Sequence, residues 1–354
     1  MPFLHSSPRW HLAVAALILA LLAPPLAASD LIRINGAGAS FPAPLYMRWF
    51  RDYYQAHPNV LVDYQAIGSG AGVANLIQGR FDFAGSDEPL TETALEQLGA
   101  DWIQIPMAAG AIVMAYHLPG IEELKLSREA LSAIFLGEAV RWNDPVIAAA
   151  NPGVALPDRP IVVVTRVDSS GTSLIVTRHL SAISETFANL VGSNLKPVWP
   201  KALQDRGGLI RGSGNGGVAR LVQAVPGAVG YVQFAYAHLS GISMATLQNE
   251  AGAFVPPNEA SFQATLASFR AELDLSDLAD PKGAESYPIL ALSWLIVPRS
   301  TEEPKSRTLR EVLRYALTDG QKDAAPLGYI PLSPAAVEQI MERLDLRGPI
   351  PSDS

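Results

Sequence analysis

The chain has 354 residues, a formal net charge of −8 and no cysteine. Its 26 lysines and arginines are dispersed, so there is no basic stripe of the kind that tracks a nucleic-acid backbone, and no nucleic-acid partner is expected. Without cysteine there is neither a disulfide nor a thiol for lipid attachment, so large apolar cores must carry stability.

Arg9 precedes the apolar stretch LAVAALILALLA (12–23) and the small-residue region PPLAAS (24–29). This reads as a secretory signal peptide over residues 1–28, cleaved near Ala28; the apolar run is short for a transmembrane helix. A free, exported, periplasmic protein is expected. Residues 29–354 suffice for two domains. LIRIN (31–35) reads as a strand, GAGAS (36–40) as a loop and FPAPLYMRWFRDYYQAH (41–57) as a helix, with Leu45, Trp49 and Tyr53 on one face. Pro42 and Pro44 fall in its first turn, where N–H groups have no intrahelical partner, and Ser40 is the expected N-cap.

The plan repeats. VLVDYQAI (60–67) predicts a strand, GSGAG (68–72) a loop, and VANLIQ (73–78) a short helix. FDFAGSDEPL (81–90) predicts a strand ending at Asp87. IVVVTR (161–166) runs through a loop into a helix near SLIVTRHLSAIS (173–184). Further on, GNGGVARLVQAV (214–225) predicts a glycine loop and helix, GAVGYVQFAYA (227–237) a strand and turn, SYPILALSWLIVP (286–298) a strand, and TLREVLRYALTDG (308–320) and SPAAVEQIMERL (333–344) helices. Strands alternating with helices predict an α/β fold with a mainly parallel sheet covered on both faces. Two lobes are expected, with the chain crossing between them more than once.

Glycines and small hydroxyl residues between strand and helix leave backbone N–H groups aimed outward at the positive end of a helix, which suits an anion. GAGASF, GSGAG and SSGTS are three such loops; each alone could be a turn device. Arg166 adds a planar fork of donors, and Ser40, Ser69, Ser170 and Thr172 add hydroxyls. Arg166 also reads as the ion-pair partner of Asp168, which would orient its guanidinium. Ser169 reads as exposed or as a cap. Asp87 is either a turn or cap residue or an acceptor for a ligand that still carries a proton, accepting from HPO₄²⁻ and rejecting fully ionised sulfate. His57, His117, His179 and His238 stand apart with no ligand spacing, so neither a metal site nor a cofactor is expected.

GAGASFPAPLYMRW (36–49), YQAIGSGAGV (64–73), FDFAGSDEPL (81–90), TRVDSSGTS (165–173) and PGAVGYVQFAYA (226–237), in this order and over nearly the whole chain, resemble the phosphate-binding protein of the bacterial high-affinity phosphate ABC transporter, the PstS family. The resemblance implies a two-lobed periplasmic-binding-protein fold, a phosphate held between the lobes by hinge closure, a monomer, and a membrane permease as partner. It implies ligand contacts from Ser40, the Phe41 N–H, Ser69, Asp87, Arg166, Ser170, Gly171 and Thr172, with Asp168 behind the arginine. Crossovers expected near Tyr116 and Tyr287 put residues 29–116 and 287–354 in lobe 1 and 117–286 in lobe 2. Two departures stand out: Gly70-Ala71 where the family commonly carries a serine followed by glycine, and Ser40 where threonine is frequent. Residues 201–217 are longer than expected, with no role assigned. The rival readings are a phosphatase on the same scaffold with Ser170 as nucleophile, which lacks a nearby histidine, a metal cluster or a G-x-S-x-G elbow, and a binder of another oxyanion. An enzyme is not expected.

Overall fold

The computed structural model describes residues 31–99, 101–268 and 279–346. The expected signal peptide, residues 1–28, lies outside them. Among the described residues no helix is long and apolar enough to cross a membrane.

The strands are β1 Ile32–Gly38, β2 Val60–Gln65, β3 Phe83–Ser86, β4 Trp102–Tyr116, β5 Lys125–Leu126, β6 Val162–Arg166, β7 Leu209–Gly212, β8 Ala228–Gln233, β9 Ser243–Met244, β10 Thr246–Gln248, β11 Phe254–Val255 and β12 Leu290–Pro298. The main sheet runs β2-β1-β3-β12-β4-β8-β6-β7, with β9 beside β4, and a small second sheet holds β11-β10-β5. Its two ends, β2-β1-β3 and β8-β6-β7, are parallel. The antiparallel strands β12 and β4 join them. The fold is thus a two-domain mixed α/β architecture, parallel where the sequence predicts and antiparallel at the seam.

β4 makes the seam. Residues Trp102–Ala111 pair with β12, and Ile112–Tyr116 pair with β8, so one strand changes partner between Ala111 and Ile112. The Ile112 N–H donates to the Ile289 carbonyl at 3.0 Å, bringing the returning chain back at the same point. WIQIPMAAGAIVMAY is apolar almost throughout and buried almost throughout, the signature of a strand covered on both faces.

Helices cover both ends. Ala43–Ala56 buries Leu45, Trp49 and Tyr53 as its spacing predicts. Pro304–Leu317 packs beside it: Tyr53 meets Tyr315 edge-on, Trp49 Nε1 donates to the Gly320 carbonyl at 2.7 Å, and Tyr329 OH donates to the Phe41 carbonyl at 2.6 Å. The C-terminal segment therefore packs on the β1 end. Gly171–Ile183 and Gly214–Ala224 cover the β6 end, and both start directly after a strand of the parallel set.

Candidate functional site

The carboxyl ends of the parallel strands at both ends of the sheet face one another. Open α/β sheets present their loops and helix N-termini there, which makes these edges the usual place for a ligand. From the β1 end come Ser40 and Phe41 after β1, Ser69 after β2 and Asp87 after β3. From the β6 end come Arg166, Asp168, Ser170, Gly171 and Thr172. Apart from Asp168, whose carboxylate keeps some exposure, all of these are buried.

The two sets touch. Ser69 Oγ accepts from the N–H groups of Asp87 and Gly171, each at 3.3 Å. The Gly70 N–H donates to the Ser169 carbonyl at 3.2 Å. A Cβ on Gly171 would lie 2.5 Å from Asp87 Cβ and 2.7 Å from Ser69 Oγ. Only glycine allows that approach.

Arg166 is held as the sequence suggests. Its Nε donates to Asp168 Oδ1 at 2.9 Å, Nη2 contacts Asp168 Oδ2, and Nη1 reaches Thr172 Oγ1 at 3.3 Å. One edge of the guanidinium is fixed by Asp168, and Nη1 turns toward the Thr172 hydroxyl. Burial works to raise the Asp168 carboxyl, but Arg166 and the Gly214 N–H, 3.0 Å from Oδ1, outweigh it and hold the group below its ordinary value. Asp87 behaves in the opposite way. Burial pushes it up to about 7, against the lowering pull of Ser293, Arg166 and Ser69. Asp168 is therefore held ionised, whereas Asp87 titrates near neutrality.

Several expectations shift in detail. Ser40 is not the N-cap of Ala43–Ala56; Pro42 stands there without a side-chain cap bond. Ser40 Oγ is instead taken by Asn215, whose backbone N–H and Nδ2 donate to it at 3.0 and 2.9 Å. The helix after β2 begins at Ser69, earlier than its apolar run suggests, so Ser69 sits at a helix N-terminus. Ser170, not Ser169, caps Gly171–Ile183, accepting from the Ser173 N–H at 3.1 Å.

Three contributors escape sequence reasoning. Ser293 Oγ donates to Asp87 Oδ1 at 2.9 Å from β12. Tyr236 OH donates to the Ser40 carbonyl at 2.6 Å. Asn215 sits in the 201–217 stretch whose role was open, and that stretch supplies β7 and the Gly214 N–H as well. Asn215 opens a helix within GNGG directly after a strand, the same signature as the three recognised loops.

Residues 25–320 match the PBP superfamily domain. The chain is 37% identical over 319 residues to the phosphate-binding protein PstS of Xylella fastidiosa strain Temecula1, covering 87% of this chain and 84% of that one. It is likewise 37% identical over 315 residues to PstS of Haemophilus influenzae, covering 87% and 91%. Among solved structures, a phosphate-binding protein from Stenotrophomonas maltophilia superposes with a TM-score of 0.66 at 22% identity, covering 88% of this chain and 93% of that one, a likeness of fold. At this identity, sustained along most of each sequence, the chain belongs to the PstS family of phosphate-binding proteins.

Proposed function

We propose that the protein captures inorganic phosphate in an exported, periplasmic form and delivers it to the permease of an ABC transporter. The observation that carries this reading is the chemistry of the buried cluster: hydroxyls, helix-terminal N–H groups and one arginine edge, with Asp87 as the acceptor among them. Such a lining satisfies a tetrahedral oxyanion that still bears a proton. The ligand contacts would be Ser40, the Phe41 N–H, Ser69, Asp87, Arg166, Ser170, Gly171 and Thr172, with Asp168 aiming the arginine.

Lobe 1 would comprise residues 29–116 and 287–354 and lobe 2 residues 117–286, hinged where β4 changes partner and where the chain returns at Ile289. Phosphate contacting both lobes favours the closed form, and the permease reads that form. A binding role is favoured over hydrolysis because Ser170 Oγ is engaged as a helix cap and His179 Nδ1 lies 2.7 Å from the Ala279 carbonyl. Neither is arranged as a nucleophile with its base.

Calorimetry of ligand-stripped protein with phosphate, arsenate and sulfate tests the reading. One phosphate per chain, with arsenate competing and sulfate excluded at pH 8, is expected; equal affinity for sulfate would overturn it.

A further inference from the structure

The geometry points to Asn215 as the residue that fixes the hydroxyl protons of Ser40 and Thr172 toward the ligand, a positioning and specificity role distinct from ligand contact. The inference rests on the proposed phosphate site and deepens it. Asn215 is fully buried. Its Oδ1 accepts from the Gln233 N–H at 2.9 Å. A backbone N–H can only donate, so this bond settles which end of the amide is oxygen and which is nitrogen. Nδ2 is then committed to the other side, where it lies 2.9 Å from Ser40 Oγ and 3.2 Å from Thr172 Oγ1. Its two protons match two hydroxyls.

A hydroxyl oxygen has two lone pairs and one proton. At Ser40 both lone pairs are used, one by the Asn215 backbone N–H and one by Nδ2. At Thr172 both are used as well, by Arg166 Nη1 and by Nδ2. Each hydroxyl is left able only to donate. Without that constraint a serine or threonine beside a ligand is ambivalent: it can donate to a bare oxygen or accept from a protonated one. Asn215 removes the ambivalence from one hydroxyl on the β1 side and one on the β6 side simultaneously. With these two hydroxyls committed to donating, the ionised Asp87 carboxylate, which can only accept, is the favoured group to receive the ligand's proton. Preorganised donors also avoid the cost of turning hydroxyls at the moment of binding.

A mere filler at position 215 predicts a different outcome from a proton-orienting amide, and a double-mutant cycle separates them. Inorganic phosphate is titrated into wild type, Asn215→Leu, Ser40→Ala and the double variant at pH 8. Asn215→Leu is expected to weaken binding about tenfold in wild type, within the range of one hydrogen bond to a charged group, but only about threefold in Ser40→Ala, where one of the two oriented hydroxyls is already gone. An undiminished tenfold loss in both backgrounds would assign Asn215 to packing alone, and wild-type affinity in Asn215→Leu would overturn the role outright. Should Asn215→Leu not fold, Asn215→Asp keeps the shape and the acceptor for the Gln233 N–H. Its carboxylate draws both hydroxyl protons away from the ligand, so its loss should also shrink in Ser40→Ala, whereas charge repulsion alone would be equal in both backgrounds and would overturn the inference. Failure of wild type to bind phosphate would instead refute the proposed function.

Discussion

Ser293 Oγ donates to Asp87 Oδ1 at 2.9 Å although the two residues are 206 positions apart. Ser293 lies on β12 beside the irregularity where the register with β4 shifts, between Ser293 and Trp294. The antiparallel seam strand, which carries none of the glycine loops, thus reaches into the site and touches the carboxyl group that would read the ligand's proton.

The first prediction follows from that contact. Burial raises Asp87 to about 7, and the Ser293 bond is the foremost of the influences pulling it back. Above that value Asp87 is a carboxylate, which would accept the proton of a ligand and repel a bare oxygen; below it the protonated group could donate to such an oxygen. Sulfate should therefore compete with phosphate at about pH 5 and fail to compete at about pH 8. Ser293→Ala should move the changeover to higher pH. Competition calorimetry across this range checks it, and a sulfate affinity that ignores pH would remove Asp87 from the role.

The same shift has a consequence for stability. Asp87 is raised from 3.8 to about 7 on folding, so its protonated form is the one the ligand-free fold favours. The stabilisation is fully present below the unfolded value and is lost as pH rises through the folded one. At pH 8 ionised Asp87 costs ligand-free protein on the order of 4 kcal/mol relative to acid pH, taking about 1.4 kcal/mol per unit. Asp87→Asn should raise the unfolding temperature of phosphate-stripped protein at pH 8 and leave it nearly unchanged at about pH 4, while weakening phosphate binding. A variant less stable than wild type at pH 8 would contradict the sign.

Much of this site was legible in the sequence because its parts are local. A loop between strand and helix carries its own signature, and Arg166 and Asp168 are two residues apart, so GAGAS, GSGAG and VTRVDSSGTS announce themselves. Ser293 and Tyr236 were illegible for the opposite reason. Each lies in an ordinary strand or helix, and only tertiary pairing brings it to Asp87 or Ser40. β4 is hard to read because only Trp102–Met107 alternate, whereas Ala108–Tyr116 form an apolar run buried on both faces with neither a period of two nor one of 3.6. The small sheet of β5, β10 and β11 is made of strands of two or three residues, too short for any pattern.

Gly70 and Ser169 explain the family departure in the second loop and give a third prediction. A Cβ on Gly70 would lie 2.2 Å from Ser169 Oγ, while the Gly70 N–H donates to the Ser169 carbonyl. The serine that this chain lacks at position 70 would occupy the space that Ser169 fills from the other side of the cleft. Gly70→Ser should oppose closure and weaken phosphate binding about tenfold, at the low end of overpacking costs. Gly70→Ser combined with Ser169→Gly should recover most of the loss. Additive losses in the double variant would separate the two positions.

The last prediction concerns the rate at which the cleft opens. Arg178 Nη2 lies 2.7 Å from Glu88 Oε1. Glu88 follows Asp87 after β3, whereas Arg178 is on the helix Gly171–Ile183, so the pair spans the same cleft as Ser69 and Gly171. Both side chains keep partial exposure, at 24% for Arg178 and 31% for Glu88, which places the pair at the rim and limits it to about 1 kcal/mol or less. If hinge closure brings the two elements together, a rim contact between them would act mainly on opening. Arg178→Gln should leave the association rate within about twofold and raise the phosphate dissociation rate by up to about fivefold, the factor equivalent to 1 kcal/mol. High salt should shrink the difference between variant and wild type, since screening weakens the wild-type pair and has nothing to weaken in the variant. Stopped-flow measurements at low and high ionic strength read both effects together. A slower association with an unchanged dissociation rate would instead make Arg178 a steering charge for the incoming anion, and a variant indistinguishable from wild type at low salt would leave closure to the buried contacts of Ser69, Gly70 and Asn215.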